Sequence, residues 1–469
     1  MIFSSVFFIF VFLPVVLFIY FLVPKMFKNT VILIASLIFY AWGEPVYILL
    51  MIFSILFNYL SGLEIDSCKS RGLMKKARAA FWLAVAVNLG ILGFFKYFGF
   101  LIENLNRILP FDIPCHPLAL PIGISFYTFQ TLSYIIDVYK GKVKVQKNII
   151  YFGTYISMFP QLIAGPIVRY ADVEDQLADR KVSLALFGNG AAWFLRGLAK
   201  KVLLANNIGM AFDAISALPA GEMSVLTAWI GCAAYTFQIY FDFSGYSDMA
   251  IGLGKMFGFN FMKNFDYPYT SASITEFWRR WHISLSSWFR EYVYIPLGGN
   301  RVSISRNILN IFVVWLLTGF WHGAAWNFIF WGVYYGVLLL LEKFVLKNLL
   351  KRLPGIFKHI YTMVLVMIGW VLFFSPTLGS AISYIGVMFG MGACGLADGT
   401  ALYYLSNYFV LFVLLILCSM PYTYKRFSRG MVSSKTSRYF VLASYIVLFI
   451  LSTAYLVNAT YNPFLYFRF

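Results

Sequence analysis

"NILNIFVVWLLTGFWHGAAWNFIFWGVYYGVLLLLE", residues 307–342, is framed by Arg301 and Arg306 before it and by Lys343 and Lys347 after it. Ile311 to Phe320 and Phe328 to Leu341 hold no charged residue. About 18 apolar residues suffice to cross a bilayer core. The stretch is long enough for two crossings or for a deep hairpin. Lys and Arg concentrate in cytoplasmic loops, so both of its ends read as cytoplasmic. His322 stands near its middle, directly after Trp321 and four residues before Trp326.

The rest of the chain fits the same setting. Of 469 residues, 61% are hydrophobic and 12% charged, about half the charge fraction of a soluble domain. The ~10-residue alternating segments of an outer-membrane barrel are absent. The expected fold class is an all-α polytopic membrane protein, with residues 1–469 as a single integral-membrane domain of roughly 10–12 transmembrane or re-entrant helices. The net charge of +18 marks cytoplasmic loops and contact with anionic lipids, not nucleic acid. Five scattered cysteines make no CxxC pair and no metal-ligand spacing.

Charge sets the expected topology. Lys69, Arg71, Lys75, Lys76 and Arg78 place 64–80 in the cytoplasm. Working back through 46–61 and 30–43 puts the N-terminus outside. Residues 2–23, with no basic leader and no cleavage site, read as a retained helix. Forward, 81–102 crosses out, 117–138 returns, and Lys140, Lys142, Lys144 and Lys147 mark the inside. Residues 148–165 carry basic flanks and are broken at Pro160 and Gly165-Pro166, a re-entrant pattern that suggests a pore or chamber. Residues 222–256 are apolar but interrupted by "DFSGYSD", where Gly245 is expected to break the helix. Residues 264–301 read as short interfacial helices. Residues 360–374, 403–420 and 439–457 complete the crossings, with Lys425, Arg426, Arg429, Lys435 and Arg438 inside.

Four histidines are present. His116 and His359 read as solvated surface groups. His322 lies at membrane depth, where an ionisable group either bridges helices or marks a site. An imidazole titrates near neutrality and suits proton abstraction from a hydroxyl. Gly323, Ala324 and Ala325 beside it leave room for a substrate. His282, in "RRWHISLSSWFR", belongs either to an amphipathic interface segment or to a cytoplasmic mouth. There Arg279, Arg280, Arg290 and Arg301 would hold a phosphorylated donor through bidentate contacts, with backbone N–H groups from Gly298-Gly299. Asn327 either orients the imidazole or bridges helices. Trp321 and Trp326 are expected to wall a chamber and exclude water. Asp242 and Asp248 are expected to pair with Lys or Arg; no metal site is expected. No G-x-S-x-G elbow supports a hydrolase.

"EFWRRWHISLSSWFREYVYIPLGGNR" (276–301) followed by "GFWHGAAWNFIFWGVYYG" (319–336) resembles the membrane-bound O-acyltransferase (MBOAT) superfamily. "PIGISFYTFQTLSYIIDVYKG" (121–141), "FPQLIAGPIVRY" (159–170) and "YFDFSGYSDMAIGLGKMFGFNF" (240–261) resemble its bacterial alginate O-acetylation branch. The resemblance covers residues 1 to about 460. It implies a helical bundle around a central chamber, with His322 and His282 as the motif histidines. It implies acetyl-CoA as cytoplasmic donor, no bound cofactor, and acetyl transfer across the cytoplasmic membrane to an extracytoplasmic polysaccharide: alginate, cellulose, peptidoglycan or another exopolysaccharide. It also implies an extracytoplasmic partner acetyltransferase of the alginate-acetylation or SGNH type. The alternatives are D-alanyl transfer to teichoic acid by the same fold, and a polysaccharide or lipid transporter.

Overall fold

The computed structural model describes residues 1–115, 118–163, 165–422, 435–458, 461–463 and 465. His116, Lys425, Arg426 and Arg429 lie outside these. Among the described residues every regular element is helical. In chain order the α-helices are α1 (Leu13–Leu22), α2 (Lys28–Gly43), α3 (Ile48–Ser70), α4 (Met74–Asn106), α5 (Ile124–Lys140), α6 (Ile149–Ser157), α7 (Phe159–Leu162), α8 (Tyr170–Ala178), α9 (Leu184–Ala199) and α10 (Asn206–Ser216). They continue with α11 (Val225–Met256), α12 (Ile274–Arg280), α13 (Ile283–Phe289), α14 (Ile304–His322), α15 (Trp326–Phe344), α16 (Lys347–Arg352), α17 (Gly355–Phe374), α18 (Leu378–Met388), α19 (Gly399–Cys418) and α20 (Lys435–Asn458).

Among the described residues, seven helices are long and apolar enough to cross a membrane: α2, α3, α4, α14, α17, α19 and α20. α5, at 17 residues, and α11 fall outside that set, and both carry polar groups inside protein. Helix α5 is buried at every position from Ile124 to Ile135, Ser125, Gln130 and Ser133 included. The sequence count of ten to twelve spans or re-entrant pieces therefore mixes lipid-facing helices with buried ones.

The chain divides into two compact units, Met1–Phe194 with Ser247–Met262, and Leu195–Tyr246 with Lys263–Phe469. In the first, α3, α4 and α5 are joined by polar glue of the kind that helices use in lipid. Asn58 and Asn88 exchange amide hydrogen bonds, Nδ2 to Oδ1, at 3.1 and 2.7 Å. Thr131 Oγ1 donates to Asn88 Oδ1 at 3.1 Å. The broken segment appears as the short helices α6 and α7, split at Met158 with Pro160 in the first turn of α7. Both are too short to span. Phe159 packs against Phe3, Phe8, Phe12, Phe39 and Phe257, so the irregular backbone is enclosed by protein, as membrane depth demands.

In the second unit, the expected break at Gly245 does not occur. Helix α11 runs unbroken through "DFSGYSD". Glycine serves here for close approach: a Cβ on Gly245 would stand 2.8 Å from the Gly197 carbonyl oxygen. Asp242 pairs with Lys201 at 2.5 Å, both buried, as a carboxylate in an apolar run requires. The same pair holds the chain end, since Leu465 N donates to Asp242 Oδ2 at 2.9 Å and Lys201 Nζ to the Pro463 carbonyl.

Candidate active site

The segment before His282 is short-helical, as expected. α12 starts at Ser273, whose hydroxyl accepts from Glu276 N. It ends at Arg280, and α13 starts at Ile283, with Trp281 and His282 between them. His282 makes that corner with φ 45° and ψ 55°, the left-handed region that costs a non-glycine residue about 1–2 kcal/mol. Such strain persists only where the surroundings over-determine it. Here Ile283 N donates to Asn264 O at 2.9 Å and Ser286 N to His282 O at 3.1 Å. The His282 ring is 1% exposed. Its Nδ1 lies 3.2 Å from Asn264 Oδ1, and the Phe243 ring meets it edge-on at 4.8 Å. Burial pushes the imidazole down to about 3, so it is neutral at physiological pH.

His322 ends α14. The 307–342 stretch forms two helices, α14 and α15, joined by residues 323–325. At 1.5 Å per residue, the 19 residues of α14 rise about 28 Å. The resulting hairpin has its basic residues at one end and His322 at the other. The two helices approach closely at glycines: a Cβ on Gly319 would stand 3.0 Å from Gly332 Cα. The His322 ring is 5% exposed and boxed by Trp321, Trp331 and Phe373, with centroids at 5.0, 5.0 and 5.3 Å. Trp321 also meets His282, at 6.1 Å. One indole thus separates the two imidazoles. Gly323 does not leave space for a substrate; the Phe328 ring occupies the position of its missing Cβ.

A cavity of about 730 Å³ runs beside these elements, within the range of small-molecule sites. His282 lines it. Along α14 it follows Ile311, Val314, Trp315 and Thr318, one helix face. Thr318, the last residue of α14 to line it, lies one turn short of His322. One end of the cavity carries Arg279, Arg290, Lys343, Lys347, Lys351 and Lys358, against Glu276 and Glu342.

The predicted residues divide accordingly. Arg279 and Arg290 line the cavity. Arg280 does not: its guanidinium pairs with Glu276 at 2.5 Å and donates to Thr270 Oγ1 at 3.0 Å. Arg301 is exposed and is not among the lining residues. The N–H groups of Gly298 and Gly299 donate to the Ile295 and Tyr294 carbonyls, so they are spent within a turn. Asn327 Nδ2 donates to the Ser375 carbonyl at 3.0 Å, which is the helix-bridging reading. Trp321 is buried beside both histidines, but Trp326 is 46% exposed and walls nothing enclosed. His359 is half-buried, its Nδ1 3.3 Å from the Ser271 carbonyl. Sequence reading missed the lysine rim as a site and used it only for topology. The signal was there: Lys343, Lys347 and Lys351 recur every four residues. It also missed Asn264 and Glu342. The latter is a buried carboxylate that accepts from Ile274 N, Thr275 N and Thr275 Oγ1 at 2.6, 2.8 and 2.6 Å. Glu342 thereby ties α15 to the start of α12.

A family model described as the membrane-bound O-acyltransferase family matches residues 143–385, which include both histidines and the whole cavity. The chain belongs to this family. It is an acyltransferase and a multi-pass membrane protein. Among MBOAT relatives, a probable alginate O-acetylase of Pseudomonas putida is 40% identical over the full length of both chains. A peptidoglycan O-acetyltransferase of Helicobacter pylori is 35% identical over 84% of this chain and 81% of that protein. A teichoic acid D-alanyltransferase of Bacillus subtilis stands further off, 31% identical over 56% of this chain and 69% of that protein.

Proposed function

We propose that this chain takes acetyl from cytoplasmic acetyl-CoA and passes it across the cytoplasmic membrane for O-acetylation of an extracytoplasmic polysaccharide, with residues 1–469 working as one integral-membrane domain and the N-terminus outside. The observation that carries this reading is the cavity: cationic at one end, and lined along α14 as far as Thr318, one helical turn from His322. The donor's phosphates sit against Arg279, Arg290 and the lysine rim, where guanidinium and ammonium groups suit them. The pantetheine arm follows the face of α14 to Thr318, with the thioester beside His282.

The acceptor hydroxyl enters from the His322 side. His322 takes its proton, the oxygen attacks the thioester carbonyl, and the sulfur leaves as thiolate and is protonated. Positioned base catalysis contributes about 10²–10⁴-fold. Trp321, Trp331 and Phe373 exclude water that would hydrolyse the thioester. The similarity to alginate and peptidoglycan O-acetylating proteins over most of the chain favours acetyl over D-alanyl transfer. Final delivery to the polymer goes through an extracytoplasmic acetyltransferase of the SGNH type.

Reconstitution tests this. Purified protein in liposomes, given acetyl-CoA on the face bearing the lysine rim, should release free CoA only when an acceptor is on the opposite face. A transporter of polysaccharide or lipid would release none.

A further inference from the structure

Asn264 is a buried amide, 1% exposed, eighteen residues ahead of His282. Its side-chain oxygen is the common acceptor of a small knot. Ser284 N donates to it at 3.2 Å and Ser284 Oγ at 2.9 Å; His282 Nδ1 stands at 3.2 Å. A backbone N–H can only donate, so the atom facing Ser284 N is the amide oxygen and not its nitrogen. An oxygen accepts. The Ser284 hydroxyl also stands 3.5 Å from His282 Nδ1, but its shorter contact, 2.9 Å, is to Asn264 Oδ1; paired with that same oxygen, the His282 nitrogen carries the hydrogen. The Asn264 main-chain oxygen accepts from Ile283 N at 2.9 Å, which holds the corner where His282 adopts its left-handed backbone.

We infer that Asn264 is a positioning residue: it fixes His282 as the Nδ1–H tautomer, leaving Nε2 as the proton-accepting nitrogen of the imidazole that lines the donor cavity. The inference rests on the reading of this cavity as the acyl-donor site. The second nitrogen of a working histidine is commonly held by such an acceptor, which sets both ring angle and tautomer. The Ser284 hydroxyl and amide keep the Asn264 side chain from turning over.

The test uses the full chain in liposomes with acetyl-CoA and an acceptor. Asn264→Leu keeps the size and removes the acceptor; Asn264→Asp keeps an acceptor oxygen. The expected result is that Asn264→Leu lowers kcat at least tenfold, with KM for acetyl-CoA within twofold. Asn264→Asp should restore most of kcat. In a His282→Ala background, Asn264→Leu should add no further loss. An Asn264→Leu protein with full kcat, while His282→Ala is inactive, overturns the inference and leaves the site reading standing. A fully active His282→Ala protein overturns both. Equal losses from Asn264→Leu in the two backgrounds reduce Asn264 to a structural residue and overturn the inference alone.

Discussion

His282 and His322 are both buried and both lie against Trp321, yet they are held by different means. His282 is fixed by hydrogen bonds around Asn264 and Ser284, at a strained corner between two short helices. His322 sits at the end of a 19-residue helix inside a box of rings. The first arrangement sets a tautomer; the second sets a position and keeps water away. The first borders the cavity and the second lies one turn beyond Thr318, the last residue of α14 to line it. In the proposed reaction the first serves the donor side and the second the acceptor side.

Trp331→Ala empties one wall of the His322 box and should cost about 3–5 kcal/mol, read as a lower melting temperature in detergent, with turnover falling as water enters. Apparent KM for acetyl-CoA should hold. Asn327→Ala removes the donor to Ser375 O and should cost about 1–3 kcal/mol of stability while specific activity per folded molecule persists. Loss of turnover without loss of stability would return Asn327 to the catalytic group. Replacing Lys343, Lys347 and Lys351 together by Ala should raise KM for acetyl-CoA about tenfold or more and leave kcat near the parent value, with the difference shrinking at high salt.

The smallest effect concerns pH. In the folded protein the His282 imidazole is pushed down to about 3, whereas in the unfolded chain it titrates near 6.5. The unfolded state therefore binds the proton first as pH falls. The contribution is complete above about 6.5 and is lost progressively from there toward about 3. His282→Gln should flatten the fall of melting temperature across that window relative to the parent; an identical slope would show that His282 does not titrate differently on unfolding.

Much of the architecture was legible because lipid leaves few options. The long apolar runs became α3, α4, α14, α17 and α19, and Pro160 marked the α6–α7 break. What misled was glycine, which allows a break and also allows close packing; only the neighbouring Gly197 carbonyl shows that Gly245 does the second. The two histidines were visible as chemistry out of place. Their partners were not. Arg280 and Arg279 look alike in sequence, but Glu276, four residues before Arg280, takes one and leaves the other on the cavity. Asn264 and Glu342 reach the site from separate segments, and nothing in a linear pattern signals such an encounter. Trp326 and Trp321 are equally apolar, and only the turn of the helix end buries one and exposes the other.

Everything in the proposed reaction converges on the imidazole of His322. Membranes carrying His322→Ala protein, supplied with labelled acetyl-CoA, should transfer acetyl at least about 10²-fold more slowly than the parent, at equal protein level and unchanged melting temperature. Transfer at the parent rate from a normally inserted His322→Ala protein would contradict the account.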